Sequence, residues 1–161
     1  MYRPMTNLPF MSTVMGSLDA KGRVCIPAPF RQVLASQNTA GVYVYPSFFE
    51  NVLEGFGQIA VDGLNARLST LDPFLSPQHD DTARAIVGRI QLLPMDDGGR
   101  VRLPDPMIAH AGLTDRVAFV GLSQKFQIWD ADAFAAAESA SIARMKAARE
   151  REIAKLAGDG A

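Results

Sequence analysis

A single cysteine, Cys25, and two histidines, His79 and His110, are all the soft ligands in 161 residues. One thiol cannot close an internal disulfide, and with two distant imidazoles it falls short of a four-ligand zinc site. No metal, no cofactor and a reducing, cytosolic setting are therefore expected. Long hydrophobic runs are also missing: the longest apolar stretch, residues 117–122, is far below the roughly 18 to 20 residues that span a bilayer. Residues 1–18 are broken by Pro4, Pro9, Ser12 and Thr13 and carry one early arginine, a poor secretory signal. A soluble protein away from membranes is expected. Nor is there a surplus of either charge, since 16 Lys and Arg meet 17 Asp and Glu for a net charge of -1. That excludes a uniformly basic coat for nucleic acid but not a local basic patch, because phosphates respond to where charge sits.

What the chain does have is enough apolar content for a core, 48% hydrophobic against 20% charged, and an internal repeat. Asp19-Ala-Lys-Gly-Arg-Val-Cys-Ile-Pro-Ala-Pro-Phe-Arg31 aligns without gaps to Asp96-Asp-Gly-Gly-Arg-Val-Arg-Leu-Pro-Asp-Pro-Met-Ile108, 77 residues on. Each copy reads as turn, strand and helix start. Gly22, and the pair Gly98 and Gly99, allow the positive φ of a tight turn. Val24 and Ile26, like Val101 and Leu103, alternate as in a half-buried strand. Pro27 and Pro104 end the strands, and Pro29 and Pro106 suit the first turns of short helices over 29–35 and 106–111.

Each copy continues into a further β pattern, at 42–45 and 117–120, and the second adds a strand at 125–129 with Asp130 placed to cap a long terminal helix. Between the copies the pattern predicts helices over 51–71 and 78–85 and a strand over 86–95. The terminal helix, 131–157, carries Phe134, Ile142, Met145, Ile153 and Leu156 on a loose apolar stripe.

Charge is unevenly placed: residues 1–31 carry a local +3, residues 32–83 a local -5 and the remainder +1. Both repeated turns lie outside the acidic stretch. An Asp-x-x-x-Arg turn has two readings. In one, the aspartate accepts turn N–H groups and the arginine closes an ion pair, a purely structural device. In the other, the turn presents Arg23 and Arg100 outward for bidentate pairing with guanine edges or phosphate.

The two turns, with Phe30-Arg31, Val42-Tyr-Val-Tyr45-Pro46, His110-Ala-Gly-Leu113, Val120-Gly121 and Lys125-Phe-Gln-Ile-Trp-Asp130, resemble the MraZ family over roughly residues 10–134. The resemblance implies an α+β fold of two pseudo-repeated swapped-hairpin (SpoVT/AbrB-like) β-barrel halves with short helices, plus a long C-terminal helix. It divides the chain into an N-terminal arm (1–9), a first repeat (10–57), a helical spacer (58–83), a second repeat (84–129) and a C-terminal helix and tail (130–161). The implied function is a DNA-binding transcriptional regulator, usually a repressor, of the bacterial division and cell-wall gene cluster. It would be nucleoid-associated and bind tandem promoter repeats on double-stranded DNA as a homo-oligomeric ring. Carried over by position, the DNA-contacting residues are Asp19, Lys21 and Arg23 in the first turn and Asp96 and Arg100 in the second. The second turn departs from the first: Gly98 stands where Lys21 does and Ile108 where Arg31 does, leaving it less basic. Arg102, at the position of Cys25, offers partial compensation.

Two other classes remain. Asp80-Asp81 and Asp96-Asp97, with His79 or His110, are the only candidates for acid–base or metal chemistry, and exposed acids are the plainer reading; no phosphate loop or nucleophile elbow is present, so no enzyme and no small-molecule substrate are expected. The alternative is an oligomeric antitoxin-like or structural partner-binding protein without operator binding, in which Trp129 and Phe134 would be interface anchors; core packing at the strand-to-helix junction is the plainer use of both. One turn with one or two cations binds DNA weakly, so assembly of several subunits is required for useful affinity.

Overall fold

The computed structural model describes residues 8–160. Most of the expected arm, 1–9, lies outside the described residues; at its end, Leu8 packs on the core. The fold is α+β, and the chain divides into two units, one ending at Asp130 and one starting at Ala131.

In the first unit the order is β1 (Thr13–Ser17), β2 (Arg23–Cys25), α1 (Ala28–Ser36), β3 (Val42–Pro46), β4 (Leu53–Phe56), α2 (Gln58–Leu68) and α3 (Pro77–Ala85). A single 3-10 turn (Val87–Arg89) leads into β5 (Gln91–Leu93), β6 (Arg100–Arg102), α4 (Asp105–His110), β7 (Arg116–Gly121) and β8 (Phe126–Asp130). A six-stranded sheet runs β1-β7-β8-β4-β3-β5, and β2 and β6 form a separate two-stranded ribbon. All ladders are antiparallel. Strands around the first Asp-x-x-x-Arg turn pair with strands around the second: β1 with β7, β2 with β6, β3 with β5 and β4 with β8.

The repeated pattern explains these elements. Val24, Ile26, Val101 and Leu103 are each about 1% exposed, so the alternation read from the sequence is an inside–outside alternation. Pro27 and Pro104 precede the helices, with Pro29 and Pro106 in their first turns, where a missing N–H costs nothing. In α1 the spacing of Phe30, Val33 and Leu34 turns one face inward. Phe10, Phe30 and Phe126 meet at the centre with ring centroids 5.1 to 5.5 Å apart. This cluster joins residues far apart in the chain and sets how the sheet and ribbon sit.

Two expectations are corrected. The helix predicted over 51–71 is strand β4 followed by the shorter α2. All four β4 residues are buried, Glu54 included, so no alternation reveals the strand. The strand predicted over 86–95 is confined to Gln91–Leu93, with a 3-10 turn before it. Asp80 and Asp81 lie on α3, where Asp80 meets His79 Nδ1 at 3.1 Å and Asp81 pairs with Arg84 at 3.4 Å.

The second unit is α5 (Ala131–Asp159), a 29-residue helix on which Ile142, Met145, Ile153 and Leu156 are each at least half exposed. No described helix is long and apolar enough to cross a membrane.

Candidate nucleic-acid interface

Each Asp-x-x-x-Arg segment closes on itself by the same set of bonds. Asp19 Oδ1 accepts from the backbone N–H groups of Lys21 and Arg23, both at 2.9 Å, and Oδ2 accepts from Arg23 Nε at 2.8 Å. Asp96 Oδ1 accepts from the N–H groups of Gly98 and Arg100, both at 2.9 Å, and Oδ2 from Arg100 Nε at 2.9 Å. Backbone bonds finish the turns: Asp19 N–H donates to Arg23 O and Gly22 N–H to Asp19 O, matched by Asp96 to Arg100 and Gly99 to Asp96. Gly22 and Gly99 sit at φ of 77° and 82°, the left-handed region that disfavours a side chain.

The Arg23 backbone N–H is the largest influence holding the Asp19 carboxyl below its ordinary value; partial desolvation opposes it and the Arg23 side chain adds to it. Asp96 is lowered in the same way, first by the Arg100 backbone N–H. Each aspartate therefore stays charged and ties down only Nε of its arginine. Among the described residues the terminal nitrogens of Arg23 and Arg100 donate to nothing. Each is a planar fork fixed at its base and open at its tip, the geometry that suits a guanine edge or a phosphate.

Tertiary structure brings the two turns together. In the β2–β6 ribbon Arg23 pairs with Arg102, Val24 with Val101 and Cys25 with Arg100. Because side chains alternate, Val24 and Val101 face the core while Arg23, Cys25, Arg100 and Arg102 share the outer face. Ile26 N–H donates to Gly99 O at 2.9 Å and Leu103 N–H to Gly22 O at 2.8 Å, so each strand end is tied to the other copy's turn. Arg102 lies across from Arg23, at the end of the ribbon next to the first turn rather than the second. Like charges directly opposite in a ladder repel, which an anion on this face would relieve. Lys21 is exposed at the first turn's tip. All six residues singled out from the sequence therefore belong to one ribbon and its two turns.

Arg31, which the repeat aligns with Ile108 and groups with the first turn, reaches the second: its Nη1 donates to Gly98 O at 3.2 Å and its side chain covers Gly99, while Ile108 Cδ1 would lie 3.3 Å from a Cβ on Gly22. Elsewhere, Glu54 is buried, its Oε1 accepting from Tyr45 Oη at 3.0 Å and its Oε2 meeting the Lys125 ammonium as an ion pair without a well-aligned hydrogen bond. Among the described residues no cluster of three or more His, Cys, Asp or Glu is placed to hold a metal ion.

The chain is similar to known proteins along most of its length. Residues 88–156 match the family described as "MraZ protein, putative antitoxin-like". A protein of Xanthobacter autotrophicus named Transcriptional regulator MraZ is 41% identical over 141 residues, 88% of this chain and 89% of the relative. Proteins of the same name from Gluconacetobacter diazotrophicus and Azorhizobium caulinodans are 44% identical over 124 residues (75% of this chain, 78% of the relative) and 39% identical over 127 (79% and 80%).

Proposed function

This chain belongs to the MraZ family of transcriptional regulators, and from that membership we propose that it regulates transcription by seating the β2–β6 ribbon on double-stranded DNA. The observation that carries the reading is the outer face of the ribbon, which holds both Asp-locked arginines and Arg102, with Arg102 opposite Arg23 and Arg100 opposite Cys25. B-form DNA has a major groove wide enough for a two-stranded antiparallel ribbon, and arginine is the side chain best matched to guanine there. In this reading Arg23 and Arg100 touch bases or phosphates, Lys21 and Arg102 touch phosphates, and Asp19 and Asp96 hold the turns.

The finer picture is a repressor of the bacterial division and cell-wall gene cluster, working in the cytoplasm at the nucleoid. The pairing of strands between the two copies supports a description as two pseudo-repeated swapped-hairpin halves, residues 10–57 and 84–129, around a helical spacer at 58–83. One ribbon offers few cations, so tandem promoter repeats are bound by a ring of subunits with ribbons on one side. The test is a gel shift on the DNA upstream of its own gene at about 50 and 200 mM salt, with single and tandem elements. Binding that is steeply salt-dependent and stronger on the tandem array supports the proposal; equal binding to both arrays defeats the ring, and no binding defeats the operator.

A second reading, an antitoxin-like partner-binding protein, is favoured by the exposed Ile142, Met145, Ile153 and Leu156 on α5. It predicts that truncation before residue 140 abolishes partner capture and leaves DNA binding untouched.

A further inference from the structure

Among the differences between the two copies, two exchange a basic side chain of the first for an uncharged one of the second, Lys21 for Gly98 and Arg31 for Ile108, and the structure brings both to the turns. The first turn has Lys21 at its tip and Ile108, from α4, over its glycine; the second has Gly98 at its tip and Arg31, from α1, over its glycine. Gly98 lies between two guanidiniums: Arg31 Nη1 is 3.2 Å from its carbonyl, and Arg100 Nε is 3.9 Å from where its Cβ would be. The Cys25 thiol also donates to that carbonyl, at 3.4 Å, so the second turn is held from β2 and α1 together.

We propose that Arg31 is a DNA-contacting residue of the second turn, supplying from α1 the cation that Gly98 lacks, so that each turn presents two basic groups: Lys21 with Arg23, and Arg31 with Arg100. The exchange is reciprocal. A Cβ at position 98 meets only Asp96 and Arg100, so Arg31 reaches the turn from the side of Gly99, and an arginine at 108 would stand over a turn already charged by Lys21. One Arg31 N–H group fixes the Gly98 carbonyl, and the rest of its fork remains to meet a phosphate. The inference rests on the DNA-binding reading above and adds to it a residue that the repeat assigns to the wrong turn.

The experiment measures the slope of log affinity against log salt by fluorescence anisotropy on a duplex of the upstream region, using the full chain with melting temperature and oligomer size as controls. Arg31→Ile places over the second turn what Ile108 places over the first. Loss of one phosphate contact reduces the slope by about 0.9, so between 50 and 200 mM salt this variant loses roughly 3.5-fold less affinity than the wild type. Arg31→Ile combined with Gly98→Lys rebuilds the second turn in the image of the first and restores the slope; position 98 has no positive φ to strain a lysine. A purely structural role for Arg31 predicts instead a lower melting temperature for Arg31→Ile with the salt slope unchanged. The inference is overturned if Arg31→Ile keeps the wild-type slope or the double variant fails to recover it. If the wild type itself shows no salt-dependent binding, the DNA reading falls instead.

Discussion

Arg23→Ala tests the interface most directly, because structure and binding respond in opposite ways. Removing the side chain deletes the bond from Nε to Asp19 but leaves the two backbone N–H bonds, at 2.9 Å, that close the turn. It also relieves the repulsion between Arg23 and Arg102, directly opposed across the ribbon; such pairs are unfavourable by roughly 0.2 to 1 kcal/mol. Loss and relief offset, and substitution of this partly exposed surface side chain stays within about 0.5 kcal/mol, so Tm is expected to move by no more than about 2 °C for a chain of this size. Binding has no such compensation. A bidentate arginine contact is worth about 1 to 3 kcal/mol, or roughly 5- to 150-fold in affinity. Anisotropy titrations at two salt concentrations separate the two kinds of contact: loss of a phosphate contact flattens the salt slope by about 0.9, whereas loss of a base contact keeps the slope and erases discrimination between operator and unrelated duplex. The reasoning is refuted if Tm, oligomer size and operator affinity are all unchanged.

Asp19 and Asp96 have carboxyls held below their ordinary value of 3.8, so their contribution to turn order is present above that pH and is lost as pH falls through the depressed folded values. Protection of the Lys21, Arg23, Gly98 and Arg100 amides, taken as the exchange rate relative to the intrinsic rate at each pH, should thus hold from pH 7 to 5 and fall only in stronger acid; loss of protection near neutrality would contradict this. Lys125→Ala leaves the buried Glu54 carboxylate with the Tyr45 hydroxyl as its one side-chain partner among the described residues, and because Lys125 is partly exposed a loss of about 1 to 3 kcal/mol is expected in urea unfolding, below the 3 to 5 of a fully buried pair. Glu54→Gln added to Lys125→Ala should recover part of it, and no recovery would show that charge is not the cause. Gly55→Ala drives a methyl into the ring of the fully buried Phe126, an overpacking cost of about 1 to 3 kcal/mol; an unchanged Tm would refute the close approach.

The turns were legible because their chemistry is local. An aspartate, a glycine three residues on and an arginine after it contain the whole set of bonds, and two copies at one spacing reveal the pattern twice. The short helices were legible for the same reason, from their paired prolines. Strand β4 was not, since Leu53, Glu54, Gly55 and Phe56 are all buried and show neither period. Glu54 there reads as a surface acid until Tyr45 and Lys125, distant in the chain, are seen around it.

Sequence alone therefore determined the turn geometry, the alternation of β2 and β6 and the identity of the arginines, all matters of a few neighbouring residues. Which turn each cation serves was decided by tertiary structure. Arg23 faces Arg102 and Arg31 covers Gly99 because the strands of one copy pair with those of the other around the Phe10, Phe30 and Phe126 cluster. That pairing is set by packing between residues tens of positions apart, where local propensity carries no information.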